Sequence, residues 1–160
     1  AKYTGISDES ALTNIMTDIF RLHYIAVIHE WKEKALYDNM AQIISKLSKA
    51  KHRMVIASTL RQDLLEHSLK NLGMQDYFEK IFGNTPDLKQ SKEQLVRMAK
   101  KYLKKVHFMI GDKEEDIVAG RTIGAKTIYV SWGATGSDHE NKATIMVNTP
   151  DELLKYLKSA

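Results

Sequence analysis

The chain has 160 residues, 43% hydrophobic and 28% charged, with 24 Lys and Arg against 20 Asp and Glu for a formal net charge of +4. That length suits one compact domain rather than two, and 8 Gly, 2 Pro and no repetitive tract exclude collagen-like and disordered classes. No apolar run approaches the ~20 residues of a membrane span and no charged-then-apolar leader opens the chain, while the absence of Cys excludes disulfide frameworks, thiol catalysis and cysteine-based zinc sites and is compatible with a reducing cytoplasm.

In chain order, Ser7, Asp8 and Ser10 precede an apolar-periodic stretch, Leu12, Ile15, Met16, Ile19 and Phe20, whose spacing marks one face of a helix. Residues 22–31 have a β-branched centre that would suit a strand, but no Gly or Pro separates them from their flanks, so helix is expected. Residues 35–49 read as an amphipathic helix with Leu36, Met40, Ile43, Ile44 and Leu47 inward. The rhythm then changes to short apolar runs alternating with helical patterns. Residues 53–58 suit a buried parallel strand, and a helix follows from about Arg61 to Leu72, closed by Gly73. A brief strand is expected at 80–82, a helix at 92–104, a strand at 106–110 and a helix at 114–123. Strands at 126–131 and 145–147 and a helix opened by Pro150 complete the chain. This alternation predicts an α/β domain with a parallel, Rossmann-like sheet, to which the helical front is an addition.

Ligands in such sheets collect beyond the carboxyl ends of the strands. Past the first strand stand Ser58 and Thr59, and past the strand ending at Ile110 stand Gly111, Asp112 and, one helical turn on, Asp116. Between them Lys89 and Lys92 open a helix, whose free N–H groups favour an anion. Hydroxyl, ammonium and paired carboxylates are the components of a phosphate–magnesium site, because Mg²⁺ prefers hard oxygen ligands with waters completing its octahedron. Each residue also has an ordinary structural reading: a strand-end Ser or Thr caps a helix, a first-turn Lys is solvated, Asp112 is an N-cap and Asp116 a surface residue.

The run GDKEEDIVAGRTIGAKTIYVSWG resembles the acidic motif of haloacid dehalogenase superfamily hydrolases, through Gly111, Asp112, Asp116, Ala119, Gly120, Gly124 and Ala125. IASTLRQDLLEHSLKNLGMQDYFEKIFG is similar to that family's hydroxyl motif and its helix. TGISDESAL resembles the start of the cap in phosphoglycolate-phosphatase-like members, and Val130-Ser131-Trp132-Gly133 stands where those members carry a loop after the last main strand. The resemblance implies a Rossmann-like core, here residues 36–160, preceded by a partial helical cap over 1–35. It also implies phosphoryl transfer from a small phosphate monoester through an aspartyl-phosphate intermediate. Ser58 (or Thr59) would hydrogen-bond the phosphoryl group and Lys92 (or Lys89) would neutralise it. Asp112 and Asp116 would hold Mg²⁺, Asp116 directly or from the outer shell.

The family's reaction starts from a D-x-D-x-T motif on a central first strand, and no D-x-D occurs in this chain. Asp8, Asp18 and Asp38 lack the partner at i+2, and the segment Val27-Ile28-His29-Glu30 lacks paired carboxylates. The chain as given is therefore expected to begin inside the cap, with no nucleophile of its own and no turnover. The absent strand would lie between those ending at Ser58 and Ile110, which must otherwise pair with each other or leave backbone groups unmet. A preceding segment or a second chain is the expected source. A non-catalytic relative that keeps the phosphate–Mg²⁺ pocket for binding or regulation is the second reading.

The six His show no short metal-ligand spacing, and His107 is expected to be a hydrogen-bonded core residue of its strand. The Lys-rich stretches 46–53 and 100–105 alternate with apolar residues at helical spacing, so they read as polar helix faces rather than a nucleic-acid surface. Trp31 is placed to line the cap and Trp132 to flank the site.

Overall fold

The computed structural model describes residues 16, 19, 21–27, 29–30, 36–37, 39–133 and 142–159. From residue 40 onward helices and strands alternate as the sequence predicts. They are α1 (Met40–Lys49), β1 (Val55–Arg61), α2 (Gln62–Asn71), a 3-10 turn (Gln75–Tyr77), β2 (Lys80–Asn84) and α3 (Lys92–Leu103), followed by β3 (Phe108–Gly111), α4 (Glu114–Thr122), β4 (Lys126–Val130), β5 (Ile145–Val147) and α5 (Pro150–Ser159). The strand pairings β1/β2, β3/β4 and β4/β5 are all parallel, which is the Rossmann-like α/β class expected.

Helix ends follow local chemistry. Ser91 caps α3 by accepting from Gln94 N at 3.3 Å, while Gln94 Oε1 accepts from Ser91 N at 2.8 Å, a reciprocal capping box. Gly73 ends α2 in the left-handed region at φ 64°. There Gly73 N donates to Lys70 O and Met74 N to Leu69 O, meeting two carbonyls that the helix leaves open. Lys51 occupies the same position after α1, also at φ 64°, with Lys51 N donating to Ser48 O and His52 N to Leu47 O.

Two apolar layers enclose the β3–β4–β5 sheet. On one side Ile43 and Leu47 of α1 and Leu153, Leu154 and Leu157 of α5 bury Ile128, Val130 and Val147. On the other, Val96 of α3, Ala119 of α4 and Ile123 just past it form a floor. Burying a Leu or Ile side chain stabilises by roughly 1.5–3 kcal/mol, so these layers dominate the fold. Thr127, wholly buried on β4, is satisfied by Thr144, whose hydroxyl accepts from Thr127 N at 3.1 Å while Thr144 N donates to Thr127 Oγ1 at 3.0 Å.

The strands do not form one sheet. Among the described residues β1 pairs only with β2, and β3–β4–β5 form a separate ladder, so β1 and β3 are not joined to each other. Yet Ala57 of β1 and Met109 of β3 pack against the same floor of Val96 and Ala119. The two half-sheets therefore share a helical layer, and among the described residues no strand pairs with the facing edges of β1 and β3. Burial reports the same thing. β4, paired on both sides, has Ile128 at 0% exposure, whereas Ile110 of β3 is 38% exposed and no residue of β1 is buried. Of the two outcomes expected for a chain without its central strand, the edges are left unpaired rather than joined.

Some sequence expectations need correcting. The helix expected over 35–49 starts at Met40, after Asn39 turns the chain at φ 66°. The first strand runs past Ser58 to Arg61 because its end is bulged: Ala57 is opposite Phe82 and Arg61 opposite Asn84, so four steps on β1 match two on β2. His107 precedes β3 and is exposed, its carbonyl accepting from Lys126 N at 2.9 Å; it is not a core residue. Much of the expected cap lies outside the described residues, as does Trp31. Residues 21–27 and 29–30 are helical, in line with the choice of helix there, and Met16, Ile19 and Leu22 are exposed. No helix among the described residues is long and apolar enough to cross a membrane.

Candidate active site

The site begins with helix geometry. The capping box fixes the first turn of α3, and Lys92, its first residue, is thereby aimed at the gap between the half-sheets. Lys92 Nζ lies 2.8 Å from Asp116 Oδ1 and donates to Ala57 O at 3.0 Å. One ammonium thus links β1, α3 and α4. Both side chains are nearly dry, at 12% and 6% exposure. Lys89 lies in the preceding loop and is exposed; it neither opens α3 nor reaches this pair.

Asp116 is the third residue of α4, and it is buried rather than on the surface. Its Oδ2 accepts from Lys113 N at 3.2 Å, so one oxygen serves the helix start. Its Oδ1 is buried and receives no aligned hydrogen bond, the Lys92 ammonium being its ionic contact. This approach needs Gly111: a Cβ there would lie 2.3 Å from Asp116 Cβ and Oδ2. The glycine of the GD pair is thus spatial, making room for the carboxylate one turn ahead.

Asp112 ends β3 without capping α4; Lys113 is the N-cap. Its carboxylate has no hydrogen bond or ion pair among the described residues. Gly133, after β4, crosses directly over it, and a Cβ there would meet Asp112 Oδ2 at 2.6 Å. Gly133 O in turn accepts from Tyr37 Oη at 3.4 Å, which connects the segment before α1 to this corner. Trp132 packs against the α1–α5 layer beside it.

Ser58 sits within the bulge of β1. Its Oγ accepts from Leu60 N at 3.2 Å, which leaves the hydroxyl hydrogen free to donate elsewhere. Thr59 is exposed, and its carbonyl accepts from Asn84 Nδ2 at 2.9 Å. Asn84 also accepts from Gln90 N at 2.7 Å through Oδ1, so it fastens the bulge to the loop that leads into α3. Sequence reasoning passed over Asn84, since a lone Asn at a strand end carries no distinctive signal. It also passed over Ser91 as a cap, although Ser-x-x-Gln before an apolar-periodic run is a readable signature.

The structure therefore brings Lys92 and Asp116 together, places Asp112 just past β3 and four residues before Asp116, and leaves Lys89 and Thr59 exposed. Among the described residues no group of three or more His, Cys, Asp or Glu is arranged to hold a metal. Asp112 and Asp116 still fit a hard divalent cation: one is an unpartnered carboxylate, and the other has a buried oxygen without an aligned hydrogen bond.

A sequence profile of haloacid dehalogenase-like hydrolases matches residues 1–130. Tyrosine-protein kinase PtkA of Mycobacterium tuberculosis is 25% identical over 134 residues, which are 81% of this chain and 46% of that protein. Pyrophosphatase PpaX of Bacillus velezensis is 27% identical over 141 residues, 84% of this chain and 62% of that one. The crystal structure of a predicted phosphatase from Clostridium acetobutylicum superposes with a TM-score of 0.72 at 27% identity, covering 78% of this chain and 60% of that chain. The chain thus spans only about half to two thirds of the length of these relatives.

Proposed function

The chain belongs to the haloacid dehalogenase-like hydrolase family, and from that premise we propose that it forms most of a Mg²⁺-dependent phosphatase for small phosphate monoesters. The observation that carries the reading is the meeting of Lys92 with Asp116 at the open strand ends, beside the unpartnered Asp112. A phosphate ester seated at the start of α3 would meet the free N–H groups of the first turn and the Lys92 ammonium. The Ser58 hydroxyl, with its hydrogen uncommitted, would donate to a phosphoryl oxygen. Asp112 and Asp116 would hold Mg²⁺, which when bound offsets the charge that builds on the phosphoryl group.

The attacking carboxylate is taken to come from outside these 160 residues, since no D-x-D occurs within them. Its place would be the gap between β1 and β3, on an extended segment that pairs with both edges. There a carboxylate oxygen would bond to phosphorus as the bond from phosphorus to the ester oxygen breaks, the second carboxyl of that outside segment protonating the leaving alcohol. Water, giving its proton back to that carboxylate, would then attack phosphorus and free the first carboxylate and phosphate. A Cys-free chain acting on phosphorylated metabolites suits the cytoplasm.

A non-catalytic relative is the second reading, favoured by one feature: Lys92 and Asp116 already neutralise each other with no nucleophile present. The two separate on the protein as encoded, including whatever precedes Ala1. With Mg²⁺ it should hydrolyse p-nitrophenyl phosphate, and Asp112→Ala and Lys92→Ala should each lower the rate at least about hundredfold. Pyrophosphate and a phosphotyrosine peptide belong in the same assay, because relatives named for pyrophosphatase and tyrosine kinase align over most of the chain. An encoded protein without an upstream D-x-D strand and without turnover would establish the binding reading instead. Turnover by the 160-residue chain alone, abolished by Asp112→Ala, would refute an external nucleophile.

A further inference from the structure

Parallel α/β geometry puts the helix starts and strand ends on one side of the molecule, and the helix ends on the other. The candidate active site uses the starts of α3 and α4. Their far ends form an open groove of about 400 Å³, lined by Arg97, Lys100 and Lys101 of α3, by its C-cap Lys104 and by Ile123 just past α4. At ~1.5 Å per residue, Lys104 stands about 18 Å along α3 from Lys92.

Four cations around one groove need an explanation. Part of it is structural: Lys100 Nζ donates to Ile123 O at 2.8 Å, answering an open carbonyl at the end of α4. Arg97 is engaged by Glu93, through Nε at 3.0 Å and Nη2 at 2.6 Å. The two helix ends contribute roughly −0.5 charge each. Four positive side chains, one carboxylate and two such ends still leave a surplus near +2, and Lys101 and Lys104 have no partner among the described residues. Helix-end compensation accounts for one lysine and leaves this pair unexplained.

The spacing selects the ligand. Arg97 and Lys101 stand at i and i+4 on one face of α3, and the C-cap Lys104, turned at φ 69°, continues the row of charges at the helix end, the three spanning about 10 Å of backbone. A single phosphate reaches one turn of that row, whereas a phosphate chain follows it. The groove is short and open to solvent, matching the length of a small ligand rather than that of a face that tracks a duplex. We infer that this groove is a second anion site, remote from the strand-end pocket, for a small ligand bearing a chain of two or more phosphates. A condensed inorganic phosphate and a nucleoside polyphosphate share that chemistry. The inference does not depend on the phosphatase reading, because its groove and its residues are separate.

The test is a calorimetric titration of the protein with tripolyphosphate, without Mg²⁺, alongside amide chemical-shift mapping. Binding should weaken at least about tenfold in Lys101→Glu/Lys104→Glu, two exposed positions whose loss leaves the core intact. It should also fall as salt rises. Shifts should centre on Lys101, Lys104 and Ile123. ATP binding tighter than tripolyphosphate identifies a nucleotide ligand with its base against Ile123, and equal binding identifies condensed phosphate; both support the site. The proposal is overturned if the double variant binds unchanged or if shifts centre on Ser91–Gln94 at the other end of α3. It is equally overturned if orthophosphate or duplex RNA binds as tightly as tripolyphosphate.

Discussion

Lys92 and Asp116 meet at 2.8 Å across the gap between the half-sheets, and both are shielded from water. Shielding makes the pair fragile to single changes. Lys92→Met strands a buried carboxylate, and Asp116→Leu strands a nearly buried ammonium that keeps only Ala57 O. Each should cost about 3 kcal/mol in urea denaturation. The double variant Lys92→Met/Asp116→Leu should cost clearly less than the sum. Strictly additive costs would mean that the two charges are solvated independently, contrary to the geometry.

Gly111 and Gly124 separate two reasons for glycine. At Gly111 an added Cβ collides with Asp116 Cβ and Oδ2 at 2.3 Å, while at Gly124 it meets nothing within 4 Å, although the backbone there is left-handed at φ 74°. Gly124→Ala should therefore cost only the conformational penalty, about 1 kcal/mol. Gly111→Ala must push the carboxylate or β3 aside and should cost more, about 2–3 kcal/mol. It should also lower Mg²⁺ affinity, a loss that Gly124→Ala should not share. Equal costs in thermal denaturation would argue against the close approach.

The order of elements was readable because period and punctuation agreed. The apolar run ending at Ile110, Gly73 after α2 and Pro150 at the start of α5 each point to one outcome, and the structure follows them. The missing D-x-D motif was readable too, and among the described residues no strand joins β1 to β3. What the sequence hid were features decided across the chain. The bulge at Ser58–Leu60 depends on pairing with β2 and on Asn84 reaching Thr59 O. Which of Lys89 and Lys92 begins α3 depends on where the capping box starts the helix, and it starts at Lys92. For Asp116 the motif suggested a metal-site role and the local sequence alone a surface position; nothing local reveals that Gly111 and Lys92 enclose it. His107 looked internal because a β-strand pattern does not show where pairing begins.

Lys51 offers a stabilising change. It holds the left-handed position after α1 at φ 64°, as Gly73 does after α2, but it carries a side chain there. That conformation costs a non-glycine residue roughly 1–2 kcal/mol, part of which glycine returns to the unfolded state as entropy. Lys51→Gly should raise stability by about 0.5–1 kcal/mol with no change in the Ser48 and Leu47 carbonyl bonds. A fall in melting temperature would show that the Lys51 side chain contributes more than its strain.

Arg53 and Glu79 supply a pH-dependent contact at the strand starts. Arg53 Nε and Nη2 donate to the two Glu79 oxygens at 2.8 and 2.7 Å. These bonds hold the Glu79 carboxyl below its ordinary value and the Arg53 guanidinium above its own. A lowered carboxylate contributes stability that is present above its unfolded pKa and lost as pH falls through the folded one. The contribution should therefore disappear on acidification below the ordinary Glu range, and it should be small because the pair is exposed. A carbon-detected titration should find Glu79 low in the parent protein and back in the usual range in Arg53→Ala. An unshifted Glu79 in both would dismiss the contact in solution.

The free edges of β1 and β3 should be visible in hydrogen exchange. Amides of β4 donate within a ladder flanked on both sides, under the α1–α5 and α3–α4 layers. Among the described residues β1 and β3 are each paired on one side only, so half of their backbone groups face the gap. Edge groups exchange through small openings rather than through global unfolding. Gap-facing amides of Val55–Ala57 and Phe108–Gly111 should therefore exchange at least about hundredfold faster than those of Thr127–Val130. In the protein as encoded, a strand supplied from upstream should close this difference while leaving β4 unchanged. Comparable slow exchange in β1, β3 and β4 of the 160-residue chain would mean that the gap is already bridged, and the place assigned to an outside carboxylate would be gone.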